Sequence, residues 1–386
     1  MTAAILITQT SKQFSILNSQ PRPYIDNRGG CHMNSNSTKA RIIKTACVYV
    51  GIIFGAGFAS GQEHLTFFLR YGAWGVVGVL IAAVLIGLCG WAVMDICVRQ
   101  KISNYKDFMA AVFGKQLGGI LDIVTGTFVF VMFTAMLAGI GAMGNEAFGL
   151  PSSVGIIAAA ALVFAVLLFD LRGMVDINTA VSPLLVAGSL LVGLIAIFSE
   201  TRPVFANALG NSHAMWPVGA LVYASYNMIT AAAVLSSMPQ LVNSRKVAKY
   251  GGIIGGIALG GIGVVIAIAL FINMSVGGVS GAQLPMLALA AGYSPLLEYF
   301  YFVLLFLAIF TTAATGGFSL VQWLTARTGV PKSRAKIGIV LCGIAAAHVG
   351  FSNIVSHAYS FFGFLGLFIM TAIIVCFVRN FHMRRP

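Results

Sequence analysis

The run GIIFGAGFASGQEH, residues 51–64, lies inside an apolar segment long enough to cross a membrane. It nonetheless carries Gly55, Gly57 and Gly61, adds Ser60 and Gln62, and ends on Glu63 and His64. Glycine is a weak helix former, and an acid at depth in lipid is costly. A helix that unwinds over residues 55–61 frees backbone N–H and C=O groups, which must then face protein, a cavity or an ion. The outer half-helix starts near Ser60 to Gln62, where N–H groups and the positive dipole end suit a carboxylate. The inner half ends near Phe54, where carbonyl oxygens suit a cation.

Composition supplies the membrane. Of 386 residues, 59% are hydrophobic and only 9% charged, with a mean hydropathy of +0.93. A soluble domain carries roughly 25% charged residues, so this chain cannot cover a water-facing surface. The class is an all-α polytopic membrane protein in contact with the lipid bilayer. The net charge of +13 reads as Lys and Arg in cytoplasmic loops and not as a nucleic-acid surface. Cys31, Cys47, Cys89, Cys97, Cys342 and Cys376 show neither metal spacing nor paired external positions and read as free thiols. Residues 1–40 are polar, contain Pro21 and Pro23, and read as a disordered cytoplasmic tail, with Met33 as an alternative start.

Ten apolar segments follow, near 42–69, 72–98, 118–145, 152–170, 174–198, 215–240, 248–273, 296–326, 336–351 and 354–378. With the N-terminus in the cytoplasm, all of the 23 Lys and Arg residues except Arg70 and Arg202 fall on the cytoplasmic side. Both termini are therefore expected in the cytoplasm, at the bacterial inner membrane. Residues 104–115 read as an amphipathic cytoplasmic helix, and 280–292 as a short external helix.

Ten spans divide as five plus five, over 41–200 and 201–386. An odd number per half inverts the second half, giving an inverted-topology repeat whose broken helices meet at a site near the midplane. A break in span one then predicts one in span six, at YASYNMIT, 223–230, with Ser225, Tyr226, Asn227 and Thr230. The glycines of GGIIGGIALGGIG, 251–263, read instead as a close-packing face.

The nonapeptide GAGFASGQE, after a basic lead-in and with ten spans, resembles an uncharacterised bacterial permease family. That family is similar to the amino acid–polyamine–organocation superfamily with the LeuT fold, and the resemblance covers about residues 39–380. It implies alternating-access transport of a small solute, often an amino acid or related amine, driven by sodium or protons. It also implies a sodium site from the Gly51 and Phe54 carbonyls with Ala308, Thr311 and Thr312 of AIFTT. The competing reading has the two threonines bonded back to their own helix. Phe58 stands where amino-acid symporters place an Asn for a second sodium, which argues against that second ion.

Substrate is expected between the two breaks, with Gly55, Gly57, Ala59, Ser60 and Gly61 facing Ser225, Tyr226 and Asn227. Ala59, Ser60 and Gly61 would offer N–H groups to an anionic end. For Glu63 the alternatives are a structural clamp, a partner for a cationic substrate group, a proton carrier, or a solvated acid at the mouth beside His64 and Arg70. Asp95, Asp122, Glu146 and Glu298 read as interfacial anchors, and His348 and His357 as hydrogen bonds between helices. No Gly-rich ATP loop, His-x-x-x-His pattern or nucleophile elbow is present, so neither an enzyme nor a cofactor beyond the coupling ion is expected. The rival of another class is a solute receptor or sensor on the same scaffold.

Overall fold

A computed structural model describes residues 35–169, 174–199, 215–274 and 278–382, and every regular element among them is helical. The first segment is in pieces: α1 (Ser35–Ile53), α2 (Ala56–Ser60) and α3 (Gln62–Phe67), then a single 3-10 turn, Leu69–Tyr71. After it come α4 (Trp74–Gln100), α5 (Tyr105–Phe148), α6 (Ser152–Phe169) and α7 (Met174–Phe198). The later part holds α8 (Trp216–Leu235), α9 (Arg245–Ile272), α10 (Pro285–Ala291), α11 (Pro295–Thr328) and α12 (Lys332–Ala347). A turn at Phe351–Asn353 and a π-helical stretch, Ile354–Tyr359, lead into α13 (Ser360–His382).

Among the described residues seven helices are long and apolar enough to cross a membrane: Trp74–Gln100, Gln116–Phe148, Val181–Phe198, Trp216–Leu235, Arg245–Ile272, Pro295–Thr328 and Phe351–Arg379. The three remaining expected spans fall short for separate reasons. Residues 42–69 are divided among α1, α2 and α3. α6 has 18 residues and α12 has 16, and α12 begins on Lys332, Arg334 and Lys336. At 1.5 Å per residue such helices approach the ~30 Å of hydrocarbon only at full length. α1 begins at Ser35, ahead of the expected 42. Residues 1–34, Arg172, Arg202 and residues 383–386 lie outside the described residues, and with them most of the expected tail, the alternative start and seven of the charges used for orientation.

The amphipathic lead-in is present. Asn104 accepts the Asp107 N–H at 2.9 Å and caps α5. Tyr105, Phe108 and Met109 are buried. Gly114, at φ 77°, turns the chain into the long helix from Gln116. The external segment is also helical, as α10. The glycines of α9 do form a packing face. A Cβ on Gly256 would come within 2.6 Å of Gly87 Cα on α4, and one on Gly252 within 2.6 Å of the Trp91 nitrogen. Gly255 and Gly90 leave the slot that Tyr49 of α1 fills, and the Tyr49 hydroxyl donates to Ile86 O at 2.6 Å. Small residues thus bring three backbones together where no hydrophobic force between helices is available.

The expected break in span six is absent. α8 runs unbroken through Tyr223, Ser225, Tyr226, Asn227 and Thr230. The reason lies in how its polar groups are satisfied. Ser225 donates to Val222 O at 2.8 Å, Asn227 to Tyr223 O at 3.0 Å, and Thr230 to Asn227 O at 3.1 Å. Each side chain bonds a carbonyl of its own helix, so buried polarity needs no opening of the backbone. The paired-break arrangement therefore reduces to one break, in the first segment.

Candidate functional site

The break has two steps. Gly55, extended at φ −96°, ψ −173°, ends the run of α1, and its N–H turns to Ile53 O at 2.8 Å. A continuous helix would have given that N–H to Gly51 O. Gly61 then adopts the left-handed conformation at φ 83°, closing α2 and opening α3, a place where only glycine avoids a Cβ clash. A Cβ there would also meet Leu270 Cδ1 at 2.9 Å and Met286 Cγ at 3.0 Å. Gly57 is a glycine for a different reason: a Cβ would overlap Glu63 Oε1 and lie 3.0 Å from its Cδ. The acid folds back over the break and rests on Gly57.

The turn between the two steps is internally bonded. Ala59 N–H reaches Gly55 O at 3.0 Å, and Gly61 N–H reaches Phe58 O at 3.1 Å. Ser60 Oγ donates to Gly57 O at 2.8 Å and accepts the Gln62 N–H at 3.3 Å. Two of the three N–H groups expected to meet an anionic end already have partners inside the segment. Tyr301 of α11 donates its hydroxyl to Ala59 O at 2.6 Å and shares a 2.9 Å hydrogen bond with Ser189 of α7.

Glu63 is 5% exposed and His64 1%, so neither sits in solvent at a mouth, while Arg70 is exposed. His64 packs edge-on against Phe58, ring centroids 4.7 Å apart, on the side of Gly263 in α9. Glu63 faces the other way. Tyr223 and Tyr226 of α8 present their hydroxyls to its carboxylate, and Tyr359, last residue of the π-helical stretch, joins the same electrostatic group. Glu63 Oε2 and the hydroxyls of Tyr223 and Tyr226 are buried without a closed hydrogen bond. Among the described residues no Lys, Arg or His forms an ion pair with Glu63.

Of the residues expected opposite the break, Tyr226 is brought to it. Its ring lies 5.4 Å from Phe67 of α3. Ser225 turns away, its one hydroxyl hydrogen shared between Val222 O of its own helix and Gly363 O of α13, the latter at 2.5 Å, and Asn227 bonds within its own helix. Tyr223, Tyr359 and Tyr301 were not singled out from sequence as site residues. The spacing of Tyr223 and Tyr226, three apart on one helical face, was the available signal.

Of the sodium set, Thr311 Oγ1 donates to Leu307 O at 2.8 Å and to Ala308 O at 3.2 Å, leaving hydroxyl lone pairs as acceptors. Thr312 is half-buried. Gly51 faces α7, where Ser182 Oγ lies 3.9 Å from the position of a Cβ.

The remaining charges divide by place. Asp95, 1% exposed and near the end of α4, bridges Arg99 of its own helix and Arg245 at the start of α9, the latter at 3.0 Å, so it ties two helix ends together. Asp122 accepts from Trp323 at 3.3 Å and Arg327 at 3.0 Å on α11. Glu146 accepts the Gln283 N–H at 2.5 Å, just ahead of α10. His348 and His357 bond Ile344 O and Asn353 O within their own segments, so neither links two helices as expected. Cys47, Cys89, Cys97 and Cys342 are free thiols. Among the described residues no three His, Cys, Asp or Glu side chains converge on a metal position.

The bundle of apolar helices around a broken, bonded polar turn shares its fold with a solved membrane transporter. The chain superposes on the manganese transporter of Eremococcus coleocola, in complex with an aromatic bis-isothiourea compound, with a TM-score of 0.58 at 15% identity, over 92% of this chain and 82% of that one. A point mutant of the same transporter gives 0.55 over 89% and 80%. In sequence it is similar to the uncharacterised membrane protein YkvI of Bacillus subtilis, 27% identical over 339 residues, 87% of this chain and 96% of that protein. The uncharacterised protein YyaD of the same organism is 26% identical over 333 residues, 86% and 96%. No family model matches the chain.

Proposed function

We propose that the protein is a secondary transporter that moves a small solute, an amino acid or related amine, across the bacterial inner membrane by alternating access. One observation carries the reading: a buried turn, broken at Gly55 and Gly61, joins α1 to α3 inside a bundle with a transporter fold. Such a turn offers a pivot and a polar lining at depth, where an unbroken helix offers neither. The distribution of Lys and Arg supports termini on the cytoplasmic side. Ten spans in two inverted halves remain the proposed architecture, with the break confined to the first.

Sodium is the proposed coupling ion, at the Gly51 and Phe54 carbonyls with Ala308, Thr311 and Thr312. Support comes from the donor withdrawn from Gly51 O by the Gly55–Ile53 bond. The test is uptake by proteoliposomes under an imposed sodium gradient. Sodium stimulation is expected to vanish in Thr312→Ala, and unchanged stimulation removes the site. A second reading, Glu63 as proton carrier, is favoured by the burial of that acid without a cationic partner among the described residues. Sodium-free uptake that collapses in Glu63→Gln would establish it. A receptor on this scaffold would bind solute and accumulate none.

A further inference from the structure

We infer that the cavity between the end of α4 and the α8–α9 connection is a binding site for a small organic carboxylate with an apolar body. The site is separate from the proposed transport pathway and does not depend on it.

The first ground is shape. The cavity holds about 300 Å³, within the range of pockets that take small molecules. Its floor includes Met94 and Cys97 of α4, Leu235 of α8 and Val242 ahead of α9, all of them buried. An apolar wall that faces a gap forgoes packing contacts, which the body of a ligand restores. Leu235 lies twelve residues beyond Tyr223 on α8, about 18 Å along the helix axis, so the cavity is distinct from the group around Glu63.

The second ground is the sign of the polar lining. Lys101, Ser236 and Asn243 line the same cavity, and no acid does. Lys101 is exposed and forms no ion pair among the described residues. The acids nearest to it along the chain are both engaged. Asp95 is held by Arg99 and Arg245, and Asp107 by the Asn104 amide at 2.6 Å. The Ser236 hydroxyl makes only a long bond, 3.2 Å, to Ala233 O. A carboxylate therefore meets an unpaired ammonium, a hydroxyl and an amide. An amine meets no counter-charge. An amino acid would leave its own ammonium unmatched beside an apolar floor.

The third ground is the backbone. Lys101, at φ 55°, is the one residue other than glycine at positive φ among the described residues. It ends α4 in the left-handed conformation, with its N–H on Cys97 O. Glycine takes that position without steric cost, so a lysine held there points to a use for its side chain.

The test uses the purified full-length protein. Its thermal unfolding is followed with sodium hexanoate or sodium phenylacetate, against hexylammonium chloride, L-leucine and NaCl at equal ionic strength. At least one of the two carboxylates is expected to raise the unfolding temperature, and the amine and leucine are not. Lys101→Gln should weaken the apparent Kd about five- to tenfold, and Lys101→Arg should keep most of the response. Val98→Trp, which fills the cavity without a change of charge, should abolish it. Lys101→Gly should raise the unfolding temperature of the ligand-free protein and lose the carboxylate response.

No response to either carboxylate overturns the inference, as does an equal response to hexylammonium or leucine. A response undiminished in Lys101→Gln, or kept in Lys101→Gly, overturns it too. If Val98→Trp is not monodisperse, Lys101→Gln decides. Sodium oleate separates the sources of the ligand. A tighter Lys101-dependent response than to hexanoate assigns the site to a fatty acid from the bilayer, and a weaker one assigns it to an anion arriving from water.

Discussion

Residues 51–64 and residues 223–230 are two polar interruptions of apolar helices, and they resolve in opposite ways. In the first the backbone gives way: Gly55 is extended, Gly61 is left-handed, and an acid folds across the gap onto Gly57. In the second the backbone holds, because Ser225, Asn227 and Thr230 return their polar groups to the carbonyls of α8. Polarity alone therefore does not open a membrane helix. Opening takes glycines at positions needing special backbone angles, together with partners outside the helix. Tyr301 on Ala59 O and Glu63 on Gly57 supply those partners.

The contrast can be broken at its centre. Gly57→Ala puts a methyl group where Glu63 Oε1 lies, and uptake should fall to background with a stability loss of about 1–3 kcal/mol. Combining it with Glu63→Ala should recover most of the lost stability without recovering uptake. A double-mutant cycle on thermal unfolding reads the coupling, and simple additivity would show that the two residues do not meet.

On the unbroken side, a Cβ on Gly363 would strike Val222 Cγ1 and sit 2.7 Å from Val222 O. Gly363→Val should push α13 from α8 and lower stability by about 2–3 kcal/mol, measured by denaturant unfolding in detergent. Tyr301→Phe removes the donor to Ala59 O and should lower stability by about 1 kcal/mol. Its sharper signature is faster hydrogen exchange of the 56–61 amides, since the turn loses its tie to α11. Asn227→Ala should matter least, below about 1 kcal/mol, with exchange in α8 unchanged. A large loss of α8 protection there would mean that the two regions differ less than their backbones suggest.

The apolar helices were legible because bilayer thickness acts on long averages of sequence. The first break was legible too, since Gly55, Gly57 and Gly61 leave a local mark. The false break in span six came from extending that mark by symmetry. Ser225 and Thr230 carry the same polarity whether they face a cavity or their own carbonyls, and a single sequence does not distinguish the two. The tyrosine group was hidden for a related reason. Tyr226 was legible as a candidate opposite the break, but Tyr223 and Tyr359 carry no mark of their own until α8 and the π-helical stretch meet beside Glu63, more than 150 residues away along the chain. The tie from Asp95 to Arg245 was not legible because its partner comes from a different helix.

Gly61 sits directly beneath Met286 of α10, with the Met286 nitrogen 3.4 Å from where a side chain would begin. Pro285–Ala291 is in turn tethered near its start by Glu146 of α5, and Gln283 also accepts the Phe351 N–H at 3.0 Å. The pivot and the cap above it are geared together. In the proposed transport cycle, tilting the fragment 56–67 must lift or slide that cap, and through it tug on the ends of two distant helices, so a spectroscopic label at the exposed Ala291 would register each turnover.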